Sequence, residues 1–514
     1  MNRPPRPTPA TLAMTVLLSA ALLFPSLTRA QAHGGGQNES GFVPPPVKPS
    51  PPPPPPKNIA SAETWVPFPG PPIVPQSRAE AKNPPSPPVM FTKIQSKFSP
   101  IDWSVYPNDL PMLLKNMKES VDANFDYEVR RWAEVSPEPD KNPILYRTGH
   151  FRFSMTAAER AKMRKYLLDG GFILFNTGLG SLPFYRSAAE ELKVIFPEAQ
   201  LQQLSADHPI YHSYYDIGRV EYYDGVRKGG YRSSAPHFDG ITINCRTVAV
   251  ISRYGLSAGW AGKGADAYQC YKEESARRLG VNVMAYATAQ RAWSKKAVNT
   301  LEFVDSEAAY AGKMFIGQAM YDGEWKTRHK ALSILMRQFN RSTDIPVKYG
   351  HKEFRLSAPT LFETPLLYIT GHEQFKLNIN EAKMLRQYLL NGGTVFAEAC
   401  CGRQGFDASF RKILRGVLPG KELAPVPANH QIFSYPNNIE RVGVTHALAA
   451  KLKNQSSVRP HLLGIKIDGH YAVIYSRYGL AGGWELSPNP YSHSYDASGA
   501  TALGQNILLY AITQ

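Results

Sequence analysis

Two adjacent cysteines, Cys400 and Cys401, are the residues of this chain best suited to chemistry. They follow a short apolar segment and precede a glycine and an amphipathic segment, a pattern that predicts a tight turn from a strand into a helix. Such a turn exposes a thiol, and the backbone amides at the start of a helix lower its pKa. One hypothesis is therefore a catalytic Cys400, with His372 at the end of the neighbouring strand as its base. Either Glu398 or Glu373 would orient that histidine.

The two cysteines also have structural interpretations. They can be small, half-buried side chains in a tight turn, a vicinal disulfide, or part of a soft-metal site. A metal ion needs further ligands, and no CxxC or HxxxH spacing supplies them, so the sequence predicts neither a bound metal nor another cofactor. The other two cysteines, Cys245 and Cys270, could form a disulfide in an oxidising compartment.

The chain contains the same unit twice. Pro143–Gly180 matches Pro365–Gly402 at constant spacing, and the SRYGL motif at Ser252–Trp260 recurs at Ser476–Trp484. What both copies keep indicates shared architecture, and what one copy alone has is a candidate for specific chemistry. The first copy has glycine and leucine where the second has its two adjacent cysteines, so thiol chemistry at that turn is confined to the second copy.

Four further residues are candidates for ligand binding. His150 corresponds to the histidine of the second copy, and a turn histidine bonded to nearby backbone is its structural alternative. Arg253 and Arg477 follow a late strand in each copy, where anionic groups would bind, with a loop ion pair as the alternative. Trp484 could stack on a sugar ring, although core packing is commoner for an aromatic side chain.

The order of elements predicts the fold of each copy. A capping box at Thr156 and Glu159 starts a helix that ends at a Gly-Gly pair, and buried strands lie immediately before and after it. Strand, helix and strand with short connections require a parallel, right-handed crossover. We therefore predict two tandem flavodoxin-like, doubly wound α/β domains with parallel sheets, and ligands would bind beyond the carboxyl ends of their strands.

The N-terminal segment of the chain predicts export. Residues 1–30 resemble a signal peptide, with two arginines, a short apolar run and a small residue at the cleavage point. Residues 31–88 form a disordered proline-rich linker that includes six consecutive prolines. The repeats occupy residues 89–292 and 311–514. We expect a periplasmic or extracellular protein with no transmembrane helix after signal cleavage.

The composition limits the class of partner. The formal net charge is +16 and the pI is about 9.4, with basic residues scattered along the chain. An exported basic protein could contact an anionic envelope polymer or another envelope protein, whereas nucleic acid is not expected.

Several motifs mark a family resemblance. The TGH motif ending at His372, the EACCG motif at Glu398–Gly402 and the SRYGLAGGWE segment resemble the bacterial domain-of-unknown-function family 4159. The similarity covers Met90–Gln290 and Met314–Gln514. This family is similar in fold to class I glutamine amidotransferases and trehalose-utilisation-type proteins, which implies two amidotransferase-like domains and gives no substrate.

Comparison with amidotransferases excludes one activity. Those enzymes carry G-x-C-x-G at the nucleophile, where this chain has Glu398 in place of the first glycine. They also need a His-x-Glu pair after a later strand, and no such pair follows the later strands here. The protein is therefore not expected to be a glutaminase. The leading expectation is a non-catalytic binding or assembly module. The alternatives are a thiol-dependent hydrolase or transferase acting on a small amide, ester or glycan-derived substrate, and a carbohydrate-binding domain pair.

Overall fold

The computed structural model describes residues 87–97, 100–121, 124–297 and 314–514. The predicted signal peptide (1–30) and nearly all of the predicted proline-rich linker (31–88) lie outside the described residues. Within the described ranges, no helix is both long and apolar enough to cross a membrane.

The first repeat forms one seven-stranded sheet with helices. Its strands are β1 (Val89–Gln95), β2 (Phe125–Arg131), β3 (Ile144–Gly149), β4 (Phe172–Thr177), β5 (Gln202–Gln203), β6 (Phe238–Ile243) and β7 (Arg246–Ser252). Its helices are α1 (Pro100–Trp103), α2 (Asp109–Val121), α3 (Ala157–Leu168), α4 (Leu182–Ile195), α5 (Asp224–Lys228), α6 (Ser257–Trp260) and α7 (Glu273–Ala297).

The second repeat builds the same sheet again. Its strands are β8 (Gly317–Met320), β9 (Lys352–Arg355), β10 (Leu366–Gly371), β11 (Thr394–Ala399), β12 (Ala424–Pro425), the small pair β13 (Val442–Gly443) and β14 (Ser457–Val458), then β15 (Leu463–Ile467) and β16 (His470–Ser476). Its helices are α8 (Ala331–Thr343), α9 (Ile379–Leu390), α10 (Gln404–Val417), α11 (His446–Lys451), α12 (Ala481–Trp484) and α13 (Ala497–Ile512).

The strand order confirms two tandem doubly wound domains. The first sheet runs β2-β1-β3-β4-β7-β6-β5, and the second runs β9-β8-β10-β11-β16-β15-β12, so equivalent strands take equivalent places. The five strands at one side of each sheet pair in parallel. The sheets are mixed and not wholly parallel, because a β-hairpin, β6–β7 or β15–β16, adds antiparallel strands at the other edge.

Helices cover both faces of each sheet because the central strands are apolar on both sides. In β10, Leu366 and Tyr368 belong to one buried cluster, and the alternate residues Leu367 and Ile369 belong to another. Successive side chains of a strand point to opposite faces, so each sheet separates two cores. In open sheets covered on both faces, ligands bind outside the carboxyl ends of the strands, which is the edge that carries the cysteine turn.

The predicted helix after the first buried strand has the predicted ends. Thr156 accepts a hydrogen bond from the backbone N–H of Glu159, and the Glu159 carboxylate accepts one from the backbone N–H of Thr156. Asn378 and Glu381 make the same capping box in the second repeat. This cap fixes where α3 and α9 start, and hence the loop that carries the histidine before each helix.

Candidate functional site

The two adjacent cysteines lie where β11 ends. Cys400 is buried and Cys401 is partly exposed, in a short 3-10 turn before α10. Cys401 has a left-handed backbone with φ of 56°. Leu179, its counterpart in the first repeat, has φ of 52°, so this backbone belongs to the turn and not to the thiol.

Four side chains from both repeats converge at this turn. His372 follows β10, and Cys245 lies at the tip of the β6–β7 hairpin of the first repeat. Cys245 Sγ is 3.2 Å from Cys400 Sγ and 3.2 Å from His372 Nε2, while the sulfurs of Cys400 and Cys401 are 4.0 Å apart. The four donor atoms all lie within 4.8 Å of one another. Three thiols and one imidazole are together a ligand set for a soft metal ion.

A carboxylate orients the histidine of this cluster. Glu324 Oε2 lies 3.0 Å from His372 Nδ1, and both side chains are nearly buried. Because Nδ1 faces a hydrogen-bond acceptor, Nε2 is the nitrogen directed toward the thiols. Burial acts to lower the pKa of His372, but Cys245 and Glu324 outweigh burial and raise that pKa well above its usual value.

The thiols have different environments. Burial raises the pKa of Cys400 well above its usual value and also raises that of Cys245. Hydrogen bonds from those two thiols, and one from His372, lower the pKa of Cys401. A single negative charge in the cluster is therefore best accommodated on Cys401, which is also the most exposed of the three.

Two buried arginines supply positive charge around the cluster. The Arg328 guanidinium interacts electrostatically with all three cysteines and pairs with Glu485 at 2.8 Å. Arg403, which follows the cysteine turn, pairs with Glu373 at 2.5 Å and with Asp207 of the first repeat at 3.6 Å. Both arginine side chains are almost fully buried, so their charge is only weakly screened by solvent.

Glu398, predicted to orient His372, has a different role in the structure. Its carboxylate accepts hydrogen bonds from Tyr368 and from the backbone N–H groups of Leu480 and Ala481, at the start of α12. The corresponding residue of the first repeat, Asn176, accepts the equivalent bond from the N–H of Leu256. In both repeats, the side chain at this position therefore accepts hydrogen bonds that hold the strand to a later turn. The carboxylate that hydrogen-bonds to His372 Nδ1 is that of Glu324.

The predicted ligand-binding residues do not gather at one site. Nδ1 of His150 lies 3.2 Å from the backbone carbonyl of Asp102, which is the contact expected of a turn histidine. Arg253 donates to the carbonyl of Gly180 and packs on Tyr185. Arg477 lies over Tyr478, the next residue.

Trp484 lies inside the core of the second repeat. Its side chain is fully buried, packs against Tyr368 and Phe396, and donates to the carbonyl of Ala500. The ring has no exposed face on which a sugar could stack.

The sequence did not identify Cys245 and Glu324 as part of the site. Cys245 has φ of 63°, and its counterpart in the second repeat is Gly469 with φ of 90°. Cysteine at a position that favours glycine was the available signal. All four cysteines are free, and Cys270 packs against Gly255, so the alternative of a Cys245–Cys270 disulfide is not realised in this structure.

A further histidine lies beside the cluster. His208 Nδ1 accepts a hydrogen bond from the N–H of Ile210 at 3.1 Å, and its Nε2 lies 2.8 Å from Thr247 Oγ1. His430 makes the same bond with Ile432 in the second repeat. Burial lowers the pKa of His208 well below its usual value, so this imidazole is neutral.

The space around the site is small. His208, Cys245, His372, Cys401 and Arg403 are among the residues that line a cavity of about 30 Å³. This volume is on the scale of bound water, whereas pockets for small organic ligands measure about 300–1,000 Å³.

Comparisons with solved structures give low similarity. They include a putative GMP synthase subunit from Thermoplasma acidophilum (13% identity, 40% of this chain and 98% of that chain, TM-score 0.22). They also include a putative phosphosugar isomerase from Silicibacter pomeroyi DSS-3 (8% identity, 83% of this chain and 87% of that chain, TM-score 0.15). A third is the exo-beta-1,4-mannosidase Op5Man5 from Opitutaceae bacterium strain TAV5 (10% identity, 71% of this chain and 59% of that chain, TM-score 0.22).

The comparison with protein families identifies the family of this chain, which the solved structures do not. No curated protein matches the chain. The family described as "Domain of unknown function (DUF4159)" matches residues 90–288 and again residues 315–512, one match for each repeat. The chain therefore belongs to the DUF4159 family and contains two tandem copies of its domain.

Proposed function

We propose that this protein is a non-catalytic binding or assembly module of the cell envelope. The observation that carries the proposal is the enclosure of the predicted nucleophile. Cys400 is 1% exposed, and the adjoining cavity of about 30 Å³ is too small for an organic substrate. A thiol enzyme needs its nucleophile within reach of the substrate carbonyl, and burial raises the pKa of Cys400, which disfavours the reactive thiolate.

Contacts between the repeats support a single binding unit. The amides of Gln290 and Asn489 hydrogen-bond to each other, and Trp293 Nε1 donates to the carbonyl of Ser487 at 2.9 Å. All of these groups are buried. Buried polar contacts of this kind are lost at a cost if the repeats separate, so we infer that the repeats act together.

The charge of the chain supports an anionic partner. A net charge of +16 favours association with a polyanion, and a leader-like N-terminus favours the envelope as its location. We assign an anionic envelope polymer as the partner class, with another envelope protein as the alternative.

The test is retention of the protein on beads that carry an acidic polysaccharide, with a neutral polysaccharide of similar length as the control. Raising the salt from about 0.1 M to about 1 M shortens the Debye length from about 10 Å to about 3 Å. We expect retention on the acidic beads at low salt, release at high salt and no retention on the neutral beads. Absence of retention at low salt, or retention that salt does not change, would contradict the proposal.

One observation favours a second function, a thiol-dependent hydrolase or transferase. Cys401, His372 and Glu324 have the chemical order nucleophile, base and orienting carboxylate. Cys401 is the partly exposed thiol, and its pKa is lowered by hydrogen bonds from the neighbouring thiols. This function predicts rapid alkylation of Cys401 by iodoacetamide in the native protein, whereas the binding module predicts slow alkylation of all three clustered cysteines until the protein is unfolded.

A further inference from the structure

We propose that Cys245, His372, Cys400 and Cys401 together bind one divalent metal ion of the Zn²⁺ class. The site goes beyond the proposed binding function, because it concerns how the two repeats are joined. One ligand comes from the first repeat and three from the second. Three thiolates and one imidazole form one of the four-coordinate ligand sets of structural zinc sites.

The spacing of the donor atoms fits such an ion. A tetrahedral zinc ion with Zn–S bonds of about 2.3 Å places its sulfurs about 3.8 Å apart. The sulfur–sulfur distances here are 3.2 Å for Cys245–Cys400 and 4.0 Å for Cys400–Cys401, and all four donor atoms lie within 4.8 Å of one another. The upper bound of 4.8 Å exceeds the tetrahedral spacing by about 1 Å, so small shifts of the side chains would complete the tetrahedron.

The histidine is already oriented as a ligand. Glu324 accepts a hydrogen bond from His372 Nδ1 over 3.0 Å, and Nε2 faces the thiols, so the lone pair of Nε2 points to the centre of the cluster once a metal ion has displaced the proton from that nitrogen. Carboxylate, histidine and metal in this order are a recurrent arrangement, in which the carboxylate fixes the tautomer and increases the basicity of the ligand. Thiols that merely packed together would not need a carboxylate to orient the neighbouring histidine.

The backbone at Cys245 is a second, independent observation. Cys245 occupies the left-handed region, in a hairpin for which the second repeat uses Gly469. A side chain at such a position is disfavoured unless the surroundings hold it there. The hairpin does not need a cysteine, and the thiol is instead directed into the other repeat, where its sulfur meets Cys400.

The surrounding charge also fits. A divalent ion with three thiolates and a neutral imidazole carries one net negative charge. Arg328 is buried, interacts with each of the three cysteines, and follows Thr327, whose backbone carbonyl is 3.5 Å from Cys245 Sγ. Its Nε and Nη2 atoms are buried without a hydrogen-bond partner among the described residues. A permanent cation that is not fully paired can compensate an anionic metal centre.

The experiment measures the metal content of the full chain by elemental analysis and then the absorption spectrum after replacement of the metal by Co²⁺. We expect about one zinc ion per chain, and charge-transfer bands from thiolate to Co²⁺ with visible bands of tetrahedral intensity. Cys401→Ser changes a partly exposed ligand and should reduce the charge-transfer intensity. Cys270→Ser, which changes a buried cysteine outside the cluster, should leave both readouts unchanged.

Glu324→Gln tests the site without removing a ligand. Loss of an outer carboxylate partner typically weakens metal binding by about 10–100-fold. We expect a loss of that size in a Co²⁺ titration, with an unchanged far-UV circular dichroism spectrum. The proposal is overturned if the wild-type chain binds neither Zn²⁺ nor Co²⁺ stoichiometrically. A Cys245–Cys400 disulfide in the non-reduced native protein, seen by peptide mass mapping, would also overturn it. None of these readouts depends on binding to an envelope polymer.

Discussion

Replacement of Cys245 by glycine distinguishes two effects of this residue on stability: the backbone strain at its left-handed position, and its proposed binding of a metal ion between the repeats. The substitution gives the β6–β7 hairpin the residue that the β15–β16 hairpin already has, Gly469. Relief of the left-handed backbone should stabilise the variant by about 1–2 kcal/mol. Glycine loses about 0.5–1 kcal/mol more conformational entropy on folding, and burial of the Cβ methylene and the thiol, taken as two methylene equivalents, is worth about 1.6 kcal/mol. These local terms largely cancel, so the metal-free variant should lie within about 1 kcal/mol of wild type.

The metal-loaded proteins should differ much more. An ion present at 100 times its dissociation constant stabilises the native state by about 2.7 kcal/mol. A site that has lost one of its four ligands would lose most of this contribution. We therefore expect Cys245→Gly to be destabilised by about 2–3 kcal/mol in the presence of zinc and nearly neutral in the presence of a chelator.

The assay is chemical denaturation followed by tryptophan fluorescence, with and without chelator, for wild type, Cys245→Gly and the control Cys270→Ser. The informative quantity is the difference between the two conditions, in which the local terms cancel. If Cys245→Gly changes the free energy of unfolding equally with zinc and with chelator, Cys245 is not a ligand and the reasoning fails.

Three other substitutions test the surroundings of the site. Arg403→Met leaves two partly buried carboxylates, Glu373 and Asp207 of the first repeat, without their cation; we expect a loss of about 1–3 kcal/mol in the free energy of unfolding, and a loss below about 1 kcal/mol would show that the ion pairs are dispensable. Burial keeps His208 neutral in the folded protein, whereas in the unfolded chain this histidine binds a proton below its usual pKa of 6.5. The free energy of unfolding should therefore decrease as the pH falls below 6.5, by up to about 1.4 kcal/mol per pH unit. His208→Gln should flatten this slope in a thermal-unfolding series. Glu398→Gln should cost no more than about 1 kcal/mol, because an amide serves the same position in the first repeat; a large loss of stability in denaturant titrations would show that the negative charge itself is needed.

The fold could be predicted because its signals are local and occur twice. Capping residues, a Gly-Gly helix end and an apolar strand mark the same elements in both copies, and the succession of strand, helix and strand requires parallel crossovers. The antiparallel edge was not predicted. Its outermost strands, β5 and β12, are two residues long, too short for a periodic pattern.

The site could be predicted only in part, for a different physical reason. His372 and Cys400 directly follow two neighbouring strands of one sheet, β10 and β11, so the topology alone places them close together. Cys245 lies 155 positions from Cys400 and reaches it only through the packing of one repeat on the other. Short spacing motifs carry no information about such a contact. Trp484 shows the converse limit, since sequence does not distinguish an aromatic residue that packs inside a core from one that faces a ligand.

The hairpin contact makes the two halves of the chain unequal. A two-fold arrangement would use the same surface patch on both partners and produce two identical sites. Here a hairpin of the first domain enters the strand-end edge of the second, and the matching hairpin carries glycine in place of the thiol. The duplication has thus produced an ordered pair in which the upstream copy completes its downstream neighbour. An isolated C-terminal half would lack both Cys245 and Asp207, and with them the contacts that these residues make to the cysteine turn.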